Sequence, residues 1–224
     1  MLDTLRKQVA DACHMIPQYG LASFTWGNVS GYDSANSLIV IKPYGATCFD
    51  VTEENLLVAD LSGNIIEGNA QPSPDLAAHI ELYRALPGIG GIVHAHSRSA
   101  TVWAQAGRDI PPYGVTHAEY FRGYIPCTRS LSPSEIENDY EKNIGLSIVE
   151  TFEKRGFDPN EIPGALVFNH GPYTWGADCF DALKNAAILE NIADLAYQTE
   201  QINPEILPIN KAILDQQFLK HHPI

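Results

Sequence analysis

Apolar residues near the amino terminus fall at Leu2, Leu5, Val9, Ala12 and Ile16, the spacing of one helical face, and Tyr19-Gly20 supplies a stop signal. Residues 37–42 are dense in β-branched side chains and end at Pro43, which predicts a strand. Between these two elements, residues 26–31 (WGNVSG) have the composition of a tight turn joining extended stretches. Residues 56–59 and 65–66, separated by Ser62-Gly63-Asn64, predict a hairpin. In QPSPDLAAHIELYRALPG, Ser73 is placed as an N-cap, Pro74 at the first helical position and Asp75 where the helix dipole favours an acid; Pro87-Gly88 closes that helix. Residues 92–97 then predict a strand and 99–106 a helix. Long helices follow over about 132–155 and 178–200, with a buried strand at 165–169 between them.

Mixed helices and strands with short connections, and no internal repeat or low-complexity tract, predict one layered α/β domain over residues 1–224. With 45% hydrophobic residues, the chain is long enough for a well-buried core. A formal net charge of −13 argues against a nucleic-acid partner, because a phosphate backbone is bound chiefly by clustered Lys and Arg. No unbroken apolar segment suggests a signal peptide or a membrane span, so a cytoplasmic protein with no membrane partner is expected. Cys13, Cys48, Cys127 and Cys179 form no CxxC pair, which predicts ordinary buried thiols rather than a zinc-thiolate or redox motif.

Candidate chemistry lies in GGIVHAHSRS. Side chains alternate along a strand, so His94 and His96 should share one face while Val93 and Ala95 enter the opposite packing. Two imidazoles on one face can share a cation, or can be a hydrogen-bonded surface pair. A third ligand is offered by His170, where an apolar strand ends before a Gly-Pro turn; three His with an open position is the arrangement of catalytic zinc. Other segments stay ambiguous. The Trp26–Gly31 turn and Pro43-Tyr44-Gly45 are plain turns or backbone nests for an anion. Asp75 and His79 read as an i,i+4 surface pair, and Glu119 as a solvated acid.

The segments TWGNVSG, IKPYG, QPSPD, IGGIVHAHSRSATVWAQAGRDIP, THAEYFRGYIPCTR, IVETFEKRG and NHGPYTWG together resemble the class II aldolase/epimerase family over nearly the whole chain, most closely its L-ribulose-5-phosphate 4-epimerase branch. The resemblance implies a central, mostly antiparallel β-sheet flanked by helices and a four-fold homotetramer. It implies that His94, His96 and His170 bind Zn2+ or another divalent cation, with Asp75 as a fourth ligand or an acid–base group. Gly27, Asn28, Lys42, Gly45 and Ser73 would line the substrate pocket, joined by Tyr44, Pro74 and Glu141. Glu119 stands where the epimerases carry an aspartate that moves a proton across a subunit boundary, and the segment around Glu141 is expected to reach a neighbour's site as well.

The implied chemistry is metal-assisted, reversible aldol cleavage of a small ketose or ketose phosphate, ending in epimerisation if the aldehyde fragment turns before recombining and in lysis if it leaves. Departures from the pattern concern the groups around the metal. Tyr44 and Pro74 replace two serines of the phosphate-binding segments, removing hydroxyl donors. Glu119 is one methylene longer than aspartate, Gln217 replaces a histidine, and the terminal segment of the branch, with its second tyrosine, has no counterpart after His221-His222-Pro223-Ile224. Three expectations follow: a sugar-phosphate 4-epimerase, a related lyase or epimerase on another ketose, phosphorylated or not, and a non-catalytic scaffold resembling the adducin head.

Overall fold

The computed structural model of the chain describes residues 2–222. In chain order the elements are α1 (Leu2–Gln18), β1 (Asn28–Asp33), β2 (Leu38–Ile41), β3 (Leu57–Asp60), β4 (Ile65–Glu67), α2 (Leu76–Ala85), β5 (Gly91–His94), α3 (Arg98–Ala106) and α4 (Val115–Ala118). They continue as α5 (Pro133–Glu137), α6 (Tyr140–Arg155), β6 (Gly164–Leu166), β7 (Pro172–Gly176), α7 (Cys179–Ile202) and α8 (Lys211–His221). The strands form one sheet in the order β4-β3-β2-β1-β5-β7-β6, with every neighbouring pair antiparallel.

Alternation along the strands separates two cores. Val29, Val40, Val58, Val93 and Ala95 pack with Val9, Cys13 and Ile16 of α1 and with Cys179, Leu183 and Ala186 of α7. On the other face Ile39, Ile41, Leu57, Ile92 and Trp175 meet α2, α3, α6 and the later turns of α7. Fully burying one such aliphatic side chain contributes about 1.5–3 kcal/mol, so both faces drive the strands to pair in this register. The four cysteines are buried and free. Burial pushes the Cys127 and Cys179 thiols up to about 12, which leaves them unreactive. Among the described residues no helix is long and apolar enough to cross a membrane.

α1, β2, the β3–β4 hairpin, α3 and α7 lie where the sequence pattern puts them, within two residues at each end. Residues 26–31 do not form a turn. From Asn28 onward they are β1, the middle strand of the sheet, whose Asn28 amide nitrogen donates to Asp75 and whose Ser30 hydroxyl pairs with His79 and Tyr83, so these polar groups are tolerated inside. The helix expected over 132–155 is two, α5 and α6. Ser132 and Glu135 form a capping box that opens α5, and the Asn143 amide donates to the carbonyls of Glu135 and Asn138 at its end. Asp139, at φ 56°, then redirects the chain into α6.

The Ser73-Pro74 helix start is also displaced. α2 begins at Leu76, preceded by a turn in which the Leu76 N–H donates to the Ser73 carbonyl, and Asp75 is the N-cap without a side-chain cap bond. The predicted strand at 92–97 ends at His94, and that at 165–169 ends at Leu166. Val167, Asn169 and His170 belong to the tight turn into β7, with the His170 N–H donating to the Val167 carbonyl and Asn169 at φ 60°. No strand is predicted over β7, nor a helix over α4 or α8; PYTWG begins and ends with the residues that ordinarily break strands.

Candidate metal centre

His94 is the last residue of β5, paired with Asn28 on one side and Tyr173 on the other. His96 follows in the extended connection to α3. Val93 and Ala95 pack together in the opposite core, so the alternation expected of the HAH segment holds, although its second half lies beyond the strand. The Glu190 carboxylate accepts from the N–H groups of Ser99 (2.7 Å) and Ala100 (2.9 Å), which anchors the start of α3 just behind His96. His170 arrives from the β6–β7 turn. A Cβ on Gly171 would lie 2.7 Å from the Ala95 carbonyl oxygen, so glycine is what lets this turn lie against the His94–His96 segment.

One ligand nitrogen from each of His94, His96 and His170 lies within 4.8 Å of the others. The Nε2 atoms of His94 and His96 are 3.1 Å apart. His94 Nδ1 lies 3.0 Å from the Pro172 carbonyl, which can only accept, so Nδ1 carries a proton and Nε2 is the nitrogen left to face a ligand. His170 Nδ1 is buried without a hydrogen-bond partner among the described residues. Burial, reinforced by the neighbouring imidazoles, lowers His96 to about 4 and His170 to about 3, so both are neutral, the ligating form, near pH 7. Three convergent imidazoles, one bonded through Nδ1 to a backbone carbonyl and one with a buried nitrogen lacking a partner among the described residues, fit a divalent cation such as zinc.

The three histidines line a cavity of about 350 Å3 together with Gly27, Asn28, Lys42, Tyr44, Gly45, Ser73, Pro74, Asp75 and Glu141, so the structure brings all but one of the sequence-predicted site residues into one space. Gly27, at φ +81° with its Cα side facing the His94 carbonyl, marks the entry to β1. Lys42 is only 2% exposed and donates to the carbonyls of Thr25 (3.0 Å) and Ala46 (2.6 Å), with no salt-bridge partner among the described residues. Tyr44 is 62% exposed at the rim, and Pro74 is exposed beside it. Glu141, in the first turn of α6, faces the cavity of its own chain rather than reaching away from it.

Asp75 is half-buried and lies outside the three-histidine group. Its Oδ2 accepts from Asn28 Nδ2 at 2.7 Å and from Ser73 Oγ at 3.4 Å, and its Oδ1 from the Tyr173 hydroxyl at 3.0 Å. Burial would raise this carboxyl, but His94, His79, His170 and the Tyr173 hydroxyl outweigh it and hold the group below the usual carboxylate range. His79 is not a surface partner of Asp75. It is fully buried, bound to Ser30 Oγ at 2.7 Å, and burial lowers it to about 3.

Glu119 is the exception. It is half-buried and lines a different cavity, of about 630 Å3, between α1, α4 and α7. The structure also adds groups that sequence reasoning passed over. Tyr173 stacks on His94 with centroids 4.2 Å apart, Trp26 stacks on His96 at 6.0 Å, and Tyr140 lies parallel to His170 at 6.2 Å. Alternation along PYTWG was the available signal for Tyr173, but it needed β7 to be read as a strand.

Comparisons with known proteins agree with this architecture. L-fuculose 1-phosphate aldolase superposes with a TM-score of 0.82 at 20% identity, over 98% of this chain and 96% of that one. YgbL from Escherichia coli, described as a putative aldolase/epimerase/decarboxylase, gives 0.77 at 21% identity, covering 96% of this chain and 98% of its own. A sugar-phosphate aldolase from Thermotoga maritima gives 0.66 at 17% identity, covering 89% and 96%. At these identities the likeness is one of fold. The family profile described as Class II Aldolase and Adducin N-terminal domain matches residues 7–197, well over half of the chain, and the protein therefore belongs to the class II aldolase family.

Proposed function

We propose that the protein is a metal-dependent enzyme of reversible aldol chemistry on a small ketose or ketose phosphate, with zinc held by His94, His96 and His170 and epimerisation as the outcome. The observation that carries this reading is the preformed three-histidine group at one end of the Lys42 cavity. A cation bound there supplies a Lewis acid that stabilises the charge left on a ketose when the neighbouring carbon–carbon bond breaks. Asp75, ionised and held outside the ligand group, takes the proton from the hydroxyl of the departing carbon and returns it on recombination. Lys42 and the backbone around Gly27, Asn28 and Gly45 attract an anionic substituent. Glu119, from a neighbouring copy in a closed tetramer, is the second proton carrier, since its own cavity is separate.

Tyr44 favours a second reading, a lyase or epimerase acting on an unphosphorylated ketose. Its exposed ring at the cavity rim stands where the resemblance expects a serine donor. A non-catalytic adducin-like scaffold is disfavoured, because nothing in such a role calls for three imidazoles converging around one point. A cytoplasmic setting is supported by four free thiols. Elemental analysis tests the metal reading. Purified protein should hold about one divalent cation per chain and His96→Ala should lose most of it; undiminished metal in the variant rejects the ligand set. A screen of metal-loaded protein against phosphorylated and free ketoses then decides between epimer and cleavage products.

A further inference from the structure

Asn28, His94 and Tyr173 stand in one row across β1, β5 and β7, because the registers pair Asn28 with His94 and His94 with Tyr173. Directly opposed residues in antiparallel strands put their side chains on the same face. Asp75, entering from the start of α2, is gripped at both oxygens by the two neighbours of the central histidine: Oδ2 by Asn28 at 2.7 Å and Oδ1 by Tyr173 at 3.0 Å. An aspartate at an N-cap ordinarily accepts from the first helical N–H groups, yet Asp75 makes no such bond. Its orientation is set by the sheet instead of by its own helix. The Tyr173 ring is wholly buried against His94, and among the described residues Asp75 is the one hydrogen-bond partner of its hydroxyl.

We propose that Tyr173 is a positioning residue whose hydroxyl, with the Asn28 amide, holds the Asp75 carboxylate beside the three-histidine group but out of its ligand set. Resting as it does on the metal and acid–base reading above, the assignment explains how a carboxylate can sit next to a cation site and remain available for proton transfer. An unclamped Asp75 would be drawn onto a divalent cation as a fourth ligand, because carboxylate oxygen is a good donor to such ions. Tyr173→Phe keeps the ring on His94 and removes only the hydroxyl.

Cobalt(II) alone is the probe, since its visible absorption reports the number and kind of ligands. Wild type and Asp75→Asn are expected to bind Co2+ with the same spectrum. Tyr173→Phe should change the spectrum and tighten Co2+ binding about tenfold or more, as the freed carboxylate joins the ion. The double variant Tyr173→Phe, Asp75→Asn should return to the wild-type spectrum and affinity. An unchanged Tyr173→Phe protein overturns the assignment and leaves the metal reading intact. So does an Asp75→Asn spectrum that differs from wild type, because Asp75 is then already a ligand. Wild-type protein that takes up no Co2+ overturns the metal reading and the clamp together. Thermal unfolding of each variant confirms that the comparison is between folded proteins.

Discussion

His117 shows how one side chain sets a property of the whole protein without touching the metal cavity. It is 3% exposed, its Nε2 donates to the Gly123 carbonyl at 2.6 Å, and its Nδ1 has no partner among the described residues. Burial lowers its pKa to about 4, with the Gly123 bond opposing. Between that value and the unfolded value near 6.5, the unfolded chain binds a proton that the native chain refuses. Stability contributed by neutral His117 is therefore complete above about pH 6.5 and is lost as pH falls to about 4, a change on the order of 3 kcal/mol. Denaturant titrations at several pH values should show His117→Gln losing less stability than wild type over this window; equal slopes would falsify it. Tyr44 and Pro74 are the second test at this scale. Two hydroxyl donors to a phosphate contribute about 1.5–3 kcal/mol each, so Tyr44→Ser, Pro74→Ser should bind a phosphorylated ketose at least tens of times more tightly than wild type in calorimetry. Affinity for the free sugar should change little. Because α2 begins at Leu76, Pro74 lies before the helix, and its replacement should cost little helix stability.

Among the elements, the β6–β7 turn has the least room for change. It carries His170 and lies against the segment that carries His94 and His96, with no space for a side chain at position 171. Gly171→Ala should push the turn away from the Ala95 carbonyl, weakening metal binding about tenfold or more in a chelator competition, while far-ultraviolet circular dichroism stays the same. Unaltered competition would show that the turn can yield without moving His170. The elements also explain why part of the site was hidden in the sequence. HAH was readable because an apolar strand precedes it and the period of two places both rings. β1 was not, since Asn28 and Ser30 carry the signature of a turn when their partners, forty or more residues away, are unknown.

For the whole molecule, the separation of Glu119 from the three histidines has a direct consequence. If both serve one reaction, they come from different copies, and a single chain is an incomplete catalyst. Light scattering should report four chains. Mixing Glu119→Gln with His96→Ala after reversible dissociation should recover part of the lost activity, since some interfaces then pair an intact Glu119 with an intact metal site. A fully active monomer would remove this arrangement.

The chain alone determined the periodic elements, the free thiols, the three metal-binding candidates and, through its long specific segments, the family. These depend on local pattern or on residue types whose chemistry is the same wherever they fall. The tertiary structure alone decided that β1 runs through the middle of the sheet, that Glu141 faces its own cavity while Glu119 does not, and that Asp75 is held by Asn28 and Tyr173 instead of capping α2. The physical reason is that a buried polar group takes whatever partner the strand register and close packing bring within about 3 Å, and register is a property of paired strands, which no single segment carries.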